Sequence, residues 1–202
     1  MNISDYIQAA RVPDALEPQS FGLWSIRRKD VSNVIPVFKS WIGFESMTLL
    51  HRFTMATMHT SHGEVVMEDS TRELRRHLPI WLRAKGRVLV TGLGLGCVVR
   101  GLLASENVEH VTVIEIDAEI LRIVGKEFES DPRVRLIHGD ALTVTIRDKF
   151  DYAWHDIWTE GNEHLQVLHA KLIKRFYPQS TIQGAWNFPR QLKRLSPEWV
   201  LR

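Results

Sequence analysis

Four stretches of this 202-residue chain carry side chains or bare backbone able to do chemistry. The first is Val88-Leu89-Val90-Thr91-Gly92-Leu93-Gly94-Leu95-Gly96. Glycines there let the chain turn tightly and let a ligand approach bare backbone. Free amides at the start of a following helix then face that ligand. The spacing departs from the dinucleotide fingerprint, which needs glycine where Cys97 stands, and no Gly-Lys-Ser/Thr marks a triphosphate loop. The second stretch ends Val113-Ile114-Glu115-Ile116-Asp117, with Glu115 following Gly96 by 19 residues. A carboxylate at such a strand end can accept both hydroxyls of a ribose. Asp117 instead suits a helix cap before Ala118. Further on, Gly139-Asp140-Ala141 offers a carboxylate and a backbone amide for an adenine edge. The ligand-binding candidates are therefore Gly92, Leu93, Gly94, Gly96, Glu115, Ile116, Asp140 and Ala141.

The fourth stretch is Tyr152-Ala153-Trp154-His155-Asp156-Ile157-Trp158. Asp156 and His155 are the catalytic candidates. A charge at the edge of a buried strand needs a partner, so Asp156 is the stronger of the two. His155 is either a base near neutral pH or a hydrogen-bonded structural histidine. Adjacent strand residues face opposite ways, so the two are not expected to act as a pair while the strand continues. Trp154 and Trp158 are read either as core or as faces for a cation. Elsewhere, His59-x-x-His62 with Glu64 has no evident third ligand, so no metal is expected.

Elements must hold these residues in place. From Arg87 onward, apolar strands alternate with helices. The strands fall at Arg87–Thr91, Val111–Ile116, Val134–His138, Phe150–Ile157 and Thr181–Trp186. The helices fall at Gly96–Ser105, Ala118–Phe128 and Asn162–Phe176. That order predicts an α/β fold, a doubly wound, Rossmann-like, mainly parallel sheet over residues 70–202. Ser70-Thr71-Arg72-Glu73 has capping-box spacing at its entry, and Pro79 is expected to kink the helix that follows. Residues 1–69 read as a small β-rich lobe with segments at Phe21–Ile26, Val31–Phe38, Thr48–Met58 and Glu64–Met67. Residues 59–63 read as a hairpin loop, and Glu68-Asp69 suit the acids favoured by the dipole of the helix that follows.

Composition narrows the function classes. With 44% hydrophobic and 25% charged residues the chain is of ordinary globular type. A single cysteine excludes an internal disulfide and a cysteine zinc site. No apolar run approaches the length of about 20 residues that spans a bilayer. No secretory signal is visible, so a cytoplasmic protein without membrane attachment is expected. Residues 165–202 carry seven basic groups and one acidic group. That segment gives an anionic partner such as nucleic acid a place to bind, or is simply a solvated face.

Gly92–Gly96, Glu115 and Gly139-Asp140-Ala141, in that order, resemble three motifs of the class I S-adenosylmethionine-dependent methyltransferases. The runs at 111–117 and at Asp131–Arg135, with Val90 ahead of the glycines, are similar to the spermidine synthase branch. The resemblance spans roughly residues 64–158 and implies S-adenosylmethionine as cofactor, a small-molecule or unidentified acceptor beside Asp156, and Glu68-Asp69 either near the cofactor mouth or simply as first-turn acids. It implies a methyltransferase first. The alternatives are an aminopropyltransferase using decarboxylated S-adenosylmethionine, or a non-catalytic nucleoside-binding or assembly protein. Leu95 stands where the aminopropyltransferases carry an aspartate, which implies tolerance of the cofactor carboxylate. Only Asp156 matches the two aspartates of their stretch after the fourth strand. The short C-terminal region implies a sheet that is either truncated or completed by another subunit, as in a homodimer.

Overall fold

The structure, a computed structural model, describes residues 1–31, 46–54, 57, 63–157 and 165–186, together with the backbone of 193–194. The readings placed on residues 32–38, on residues 59–62 including His59 and His62, on Trp158, and on the basic residues beyond 186 lie outside the described residues or their side chains.

The chain begins with a helix, α1 (Ile3–Ala10), that the sequence reading did not anticipate. Asn2 caps it, and Asp5 returns the hydrogen bond to the Asn2 backbone. Tyr6, Ile7 and Ala10 form its buried face. The antiparallel sheet of the lobe follows, in the order β1 (Gln19–Phe21), β2 (Trp24–Asp30), β3 (Ser46–Arg52) and β4 (Glu64–Glu68). Phe21, Trp24, Ile26 and Leu50 join the same buried cluster as Val88, Val90 and Trp154, so the lobe and the larger sheet share one core.

The segment after β4 is a broken helix. α2 (Thr71–Leu74) passes through a 3-10 turn at Arg75–His77 into α3 (Leu78–Trp81). Pro79 sits in the first turn of α3, where its missing N–H costs nothing. Ser70 caps α2 by accepting from the Glu73 amide. Glu73 does not complete the capping box. Its carboxylate turns away to Trp186 and Arg76.

The second sheet holds β5 (Gly86–Thr91), β6 (Val108–Glu115), β7 (Val134–His138), β8 (Tyr152–His155), β9 (Ile182–Ala185) and β10 (Lys193–Arg194). Its order is β10-β9-β8-β5-β6-β7, parallel throughout except for β10. Helices α4 (Cys97–Leu103), α5 (Ala118–Ile123) and α6 (Leu165–Phe176) connect the strands, and a 3-10 turn at Gly125–Phe128 follows α5. Side-chain alternation explains the continuous apolar runs. Val88 and Val90 enter one core, while Leu89 enters the other with Ala153, Leu172 and Phe176. The fold is a doubly wound Rossmann-like α/β sheet with an antiparallel N-terminal sheet.

Strand order reverses at β5, since β6 lies on one side of it and β8 on the other. A crevice at the carboxyl ends of such strands is the binding position of this architecture. Four backbone hydrogen bonds align those ends. Gly92 N donates to Ile114 O, Asp156 N to Thr91 O, Gly139 N to Glu115 O, and Trp186 N to His155 O, at 2.8–2.9 Å.

Candidate active site

A cleft of about 550 Å³ opens at that edge, roofed by the lobe. Gly92, Gly94, Glu115, Ile116, Asp140, Ala141 and Asp156 line it from the sheet side, and Trp24, Arg52, Met67 and Glu68 from the lobe side. Its volume lies within the ~300–1,000 Å³ range of small-ligand pockets.

The glycine loop is held by a close approach of backbones. Gly92 has φ +89, and a Cβ there would run into the Asp156 carbonyl oxygen. Gly94, at φ +52, faces Met67, whose sulfur would lie 2.7 Å from an added Cβ and accepts from the Leu95 amide at 3.3 Å. Leu93 and Gly96 are not among the residues that line the cleft. The Leu93 amide donates to Glu115 Oε2 at 2.7 Å, and its side chain is core. Gly96 turns the chain into α4 at φ +80 and packs against Phe128. Leu95 is fully buried, so its side chain does not meet a ligand's carboxylate.

Glu115 ends β6 with both oxygens engaged, Oε2 to Leu93 and Oε1 to the Asp117 amide at 2.9 Å. Each oxygen keeps a second lone pair for a ligand hydroxyl. Burial raises the Glu115 pKa, and the two amides partly offset it. Ile116 beside it is 63% exposed, an apolar shelf on the cleft wall. Asp117 caps α5 and accepts from Trp24 Nε1 at 2.7 Å, tying the lobe to the sheet edge. Asp140 accepts from the Leu142 amide at 2.8 Å, which fixes the turn that carries Ala141.

The two catalytic candidates part company. His155 is wholly buried and does not line the cleft. Its Nε2 meets Gln183 Oε1 at 2.9 Å, and its Nδ1 meets Thr91 Oγ1 at 3.0 Å. Gln183 donates its own amide to Ile173 O and Ser180 O, so Oε1 accepts and His155 Nε2 carries the proton. Burial pulls the His155 pKa down to about 4, against the Gln183 hydrogen bond. A neutral imidazole with both nitrogens engaged in the core is structural, and the catalytic reading of His155 is corrected. Trp154 is likewise core, edge-on to His77.

Asp156 lies on the cleft floor with its side chain 18% exposed. Burial pushes its pKa up to about 8. The Glu73 and Glu115 charges add to that rise, and Arg76 opposes it. Glu73 lines the same floor. It accepts from Trp186 Nε1 and pairs with Arg76 at 3.2 Å, while the Arg76 guanidinium lies 5.0 Å from the Trp186 ring centroid. Burial raises the Glu73 pKa as well. Glu73 and Trp186 are site residues the sequence reading missed. The capping-box spacing points Glu73 to the helix cap, and no local pattern links residues 113 positions apart. Of the neighbouring acids, Glu68 faces the cleft. Asp69 is buried behind it, accepting from Thr48 N and Val12 N near Arg11. Burial pushes the Cys97 thiol up to about 12, so it offers no thiolate.

No family model matches the chain. Polyamine aminopropyltransferase 2 of Ralstonia nicotianae is 34% identical over 44% of this chain and 20% of its own length. Ribosomal RNA small subunit methyltransferase A of Geobacter metallireducens is 27% identical over 38% of this chain and 27% of its own. The chain resembles the class I S-adenosylmethionine-dependent methyltransferase superfamily, spermidine synthase-like branch. It spans only 27% and 20% of these two relatives' lengths. Among solved structures, the N-methyltransferase NodS of Bradyrhizobium japonicum, in complex with S-adenosyl-L-homocysteine, aligns at 16% identity. That match has a TM-score of 0.42 and covers 54% of this chain and 56% of that one. Among the described residues no helix is long and apolar enough to cross a membrane.

Proposed function

We propose that this protein is an S-adenosylmethionine-dependent transferase that methylates an amine nitrogen of a small molecule. The observation that carries the reading is the pair of cleft carboxylates, Asp156 and Glu73, set with the Trp186 indole below the glycine loop. Carboxylates beside an aromatic face suit cations, both a sulfonium and an ammonium. The nucleoside end fits the opposite wall, where Glu115 retains lone pairs for ribose hydroxyls and Ile116 and Ala141 supply apolar surface. When bound, the cofactor would supply an electrophilic methyl carbon on sulfur. The chain's part is then to hold the acceptor in line, take up its proton and keep bulk water out. In this reading Asp156 takes the proton, Glu73 and Trp186 orient the acceptor, and Arg76 holds those two in place.

A second reading, aminopropyl transfer from decarboxylated S-adenosylmethionine, is favoured by one specific observation. Met67 covers the Leu95 amide, and Glu68 and Glu73 lie near the loop, an unfavourable setting for a cofactor carboxylate. The name of the Ralstonia relative agrees with it. A third reading is a nucleoside-binding protein without catalysis.

Calorimetric titration separates them. Micromolar binding of S-adenosylmethionine and S-adenosylhomocysteine, with a weaker decarboxylated form, supports methyl transfer. Preference for the decarboxylated form moves the assignment to aminopropyl transfer. No adenosyl ligand binding overturns both transferase readings. Binding without transfer to any amine in a diamine and polyamine screen leaves the non-catalytic reading.

A further inference from the structure

We infer that His77 and Asp156 work as one proton-sharing pair under the cleft, with His77 positioning the Asp156 carboxyl to receive the proton an amine acceptor must lose. This rests on the amine reading above. His77 ends the 3-10 turn between α2 and α3 and is fully buried. Neither of its ring nitrogens has a hydrogen-bond partner. Leaving such a group unpartnered in the core is costly. Its Nε2 lies 3.8 Å from Asp156 Oδ2. Trp81 at 5.5 Å and Trp154 at 6.2 Å, ring centre to ring centre, wedge the imidazole in that orientation. Hydrogen bonds of a catalytic site are often long before ligands arrive, and a turn of the Asp156 carboxyl toward His77 would close this one.

The Asp156 backbone is fixed independently. Its amide donates to Thr91 O and its carbonyl lies against Gly92. The side chain lies between the cleft and His77. The charged and titratable groups facing the pair are Glu73 and Arg76 from the helical segment, Glu115 from the end of β6 and the Cys97 thiol from α4. Burial and the Arg76 charge pull His77 down to about 3, so it stays a neutral acceptor.

Protons and electron pairs balance. Once Asp156 has lost its own proton to water, as it does on the alkaline side of its midpoint, the ammonium of the acceptor gives one proton to the Asp156 carboxylate. The nitrogen pair so freed makes the new N–C bond as the sulfonium C–S bond breaks, and that pair stays on sulfur. Asp156, now a neutral carboxylic acid, donates from Oδ2 to His77 Nε2 and turns its proton away from the reacting nitrogen. The proton returns to water as products leave. An arrangement that keeps this acid hydrogen-bonded favours its protonated form.

The test measures Asp156 directly. Carboxyl-stretch infrared titration of the ligand-free protein, referenced to Asp156→Asn, gives the Asp156 midpoint in wild type, His77→Phe and His77→Gln. The His77 Nε2 chemical shift in wild type is followed over the same pH range. The midpoint should fall by about one pH unit in His77→Phe and recover in His77→Gln, whose amide oxygen accepts. The acid limb of kcat/KM, measured with S-adenosylmethionine and its decarboxylated form on 1,4-diaminobutane, should move with it while cofactor binding stays unchanged. A His77→Phe midpoint and acid limb both equal to wild type overturn the pair. So does a wild-type Nε2 shift that ignores the Asp156 titration, which needs no variant to fold. If the midpoint responds to His77 but no amine is alkylated, the pair stands and the amine reading fails.

Discussion

Glu115 shows how one side chain serves two ends. It accepts from the Leu93 and Asp117 amides and so pins the glycine loop to the next strand. Glu115→Ala should weaken S-adenosylmethionine binding by about 1.5–3 kcal/mol, as for a hydrogen bond to a charged group. It should also lower the melting temperature, because two buried amides lose their acceptor. Calorimetry paired with a thermal melt checks both, and unchanged affinity in a folded variant returns Glu115 to a structural role. Asp156 makes the second residue-scale prediction. Its pKa is raised to about 8, so the native state holds a proton that the unfolded chain releases above about 4. Stability should therefore fall as pH rises toward 8, by at most about 1.4 kcal/mol per unit from this group. Buried His77, His155 and His169 act in the other direction. Their pKa values are lowered to about 3, 4 and 4, so stability falls as pH drops below about 6.5. Urea midpoints across pH 5–8 should show a shallower alkaline decline in Asp156→Asn, with the acid-side decline retained.

At the scale of elements, the meeting of α3 and α4 is governed by one small residue. A Cβ on Gly101 would run into the Trp81 indole. That ring cannot yield, because it is buried, donates to Val98 O at 3.0 Å and stacks on Tyr6 of α1. Helix propensity alone favours Gly101→Ala by roughly 1 kcal/mol. Overpacking costs about 1–3 kcal/mol, and with a fixed indole it should win. The expected result is a lower melting temperature, by about 2–4 °C per kcal/mol lost. A more stable variant would mean that the two helices can move apart. Glu73, just ahead of the 3-10 turn between α2 and α3, lines the cleft, and His77, at its end, is buried.

At the scale of the whole molecule, the lobe closes over the sheet edge, and Trp24 Nε1 donating to Asp117 Oδ2 is a direct link between them. Trp24→Phe keeps most of the apolar contact and removes that bond, worth about 1.5–3 kcal/mol for a charged acceptor. Amide exchange in β2 and β3 should quicken while β5 and β6 keep their protection. Equal exchange in both sheets would show that the shared core alone holds the lobe.

The order of strands and helices from Arg87 onward, the doubly wound sheet and the glycine turn were legible in the sequence, because apolar periodicity and turn chemistry are local properties of the chain. So was the arrival of Glu115, Asp140 and Asp156 at one sheet edge, which follows once parallel strands are recognised. Helix α1 carried a local signal too, in its Asn2–Asp5 cap and the spacing of Tyr6, Ile7 and Ala10. Only the tertiary structure decided which partners the polar groups take. His155 is consumed by Thr91 and Gln183, Leu93 by Glu115, and Glu73 by Trp186, partners 64, 28, 22 and 113 residues away. Local spacing carries no information about such partners. They are chosen by whichever buried donor or acceptor the packed sheet brings within reach, and an unpaired one is too costly to leave.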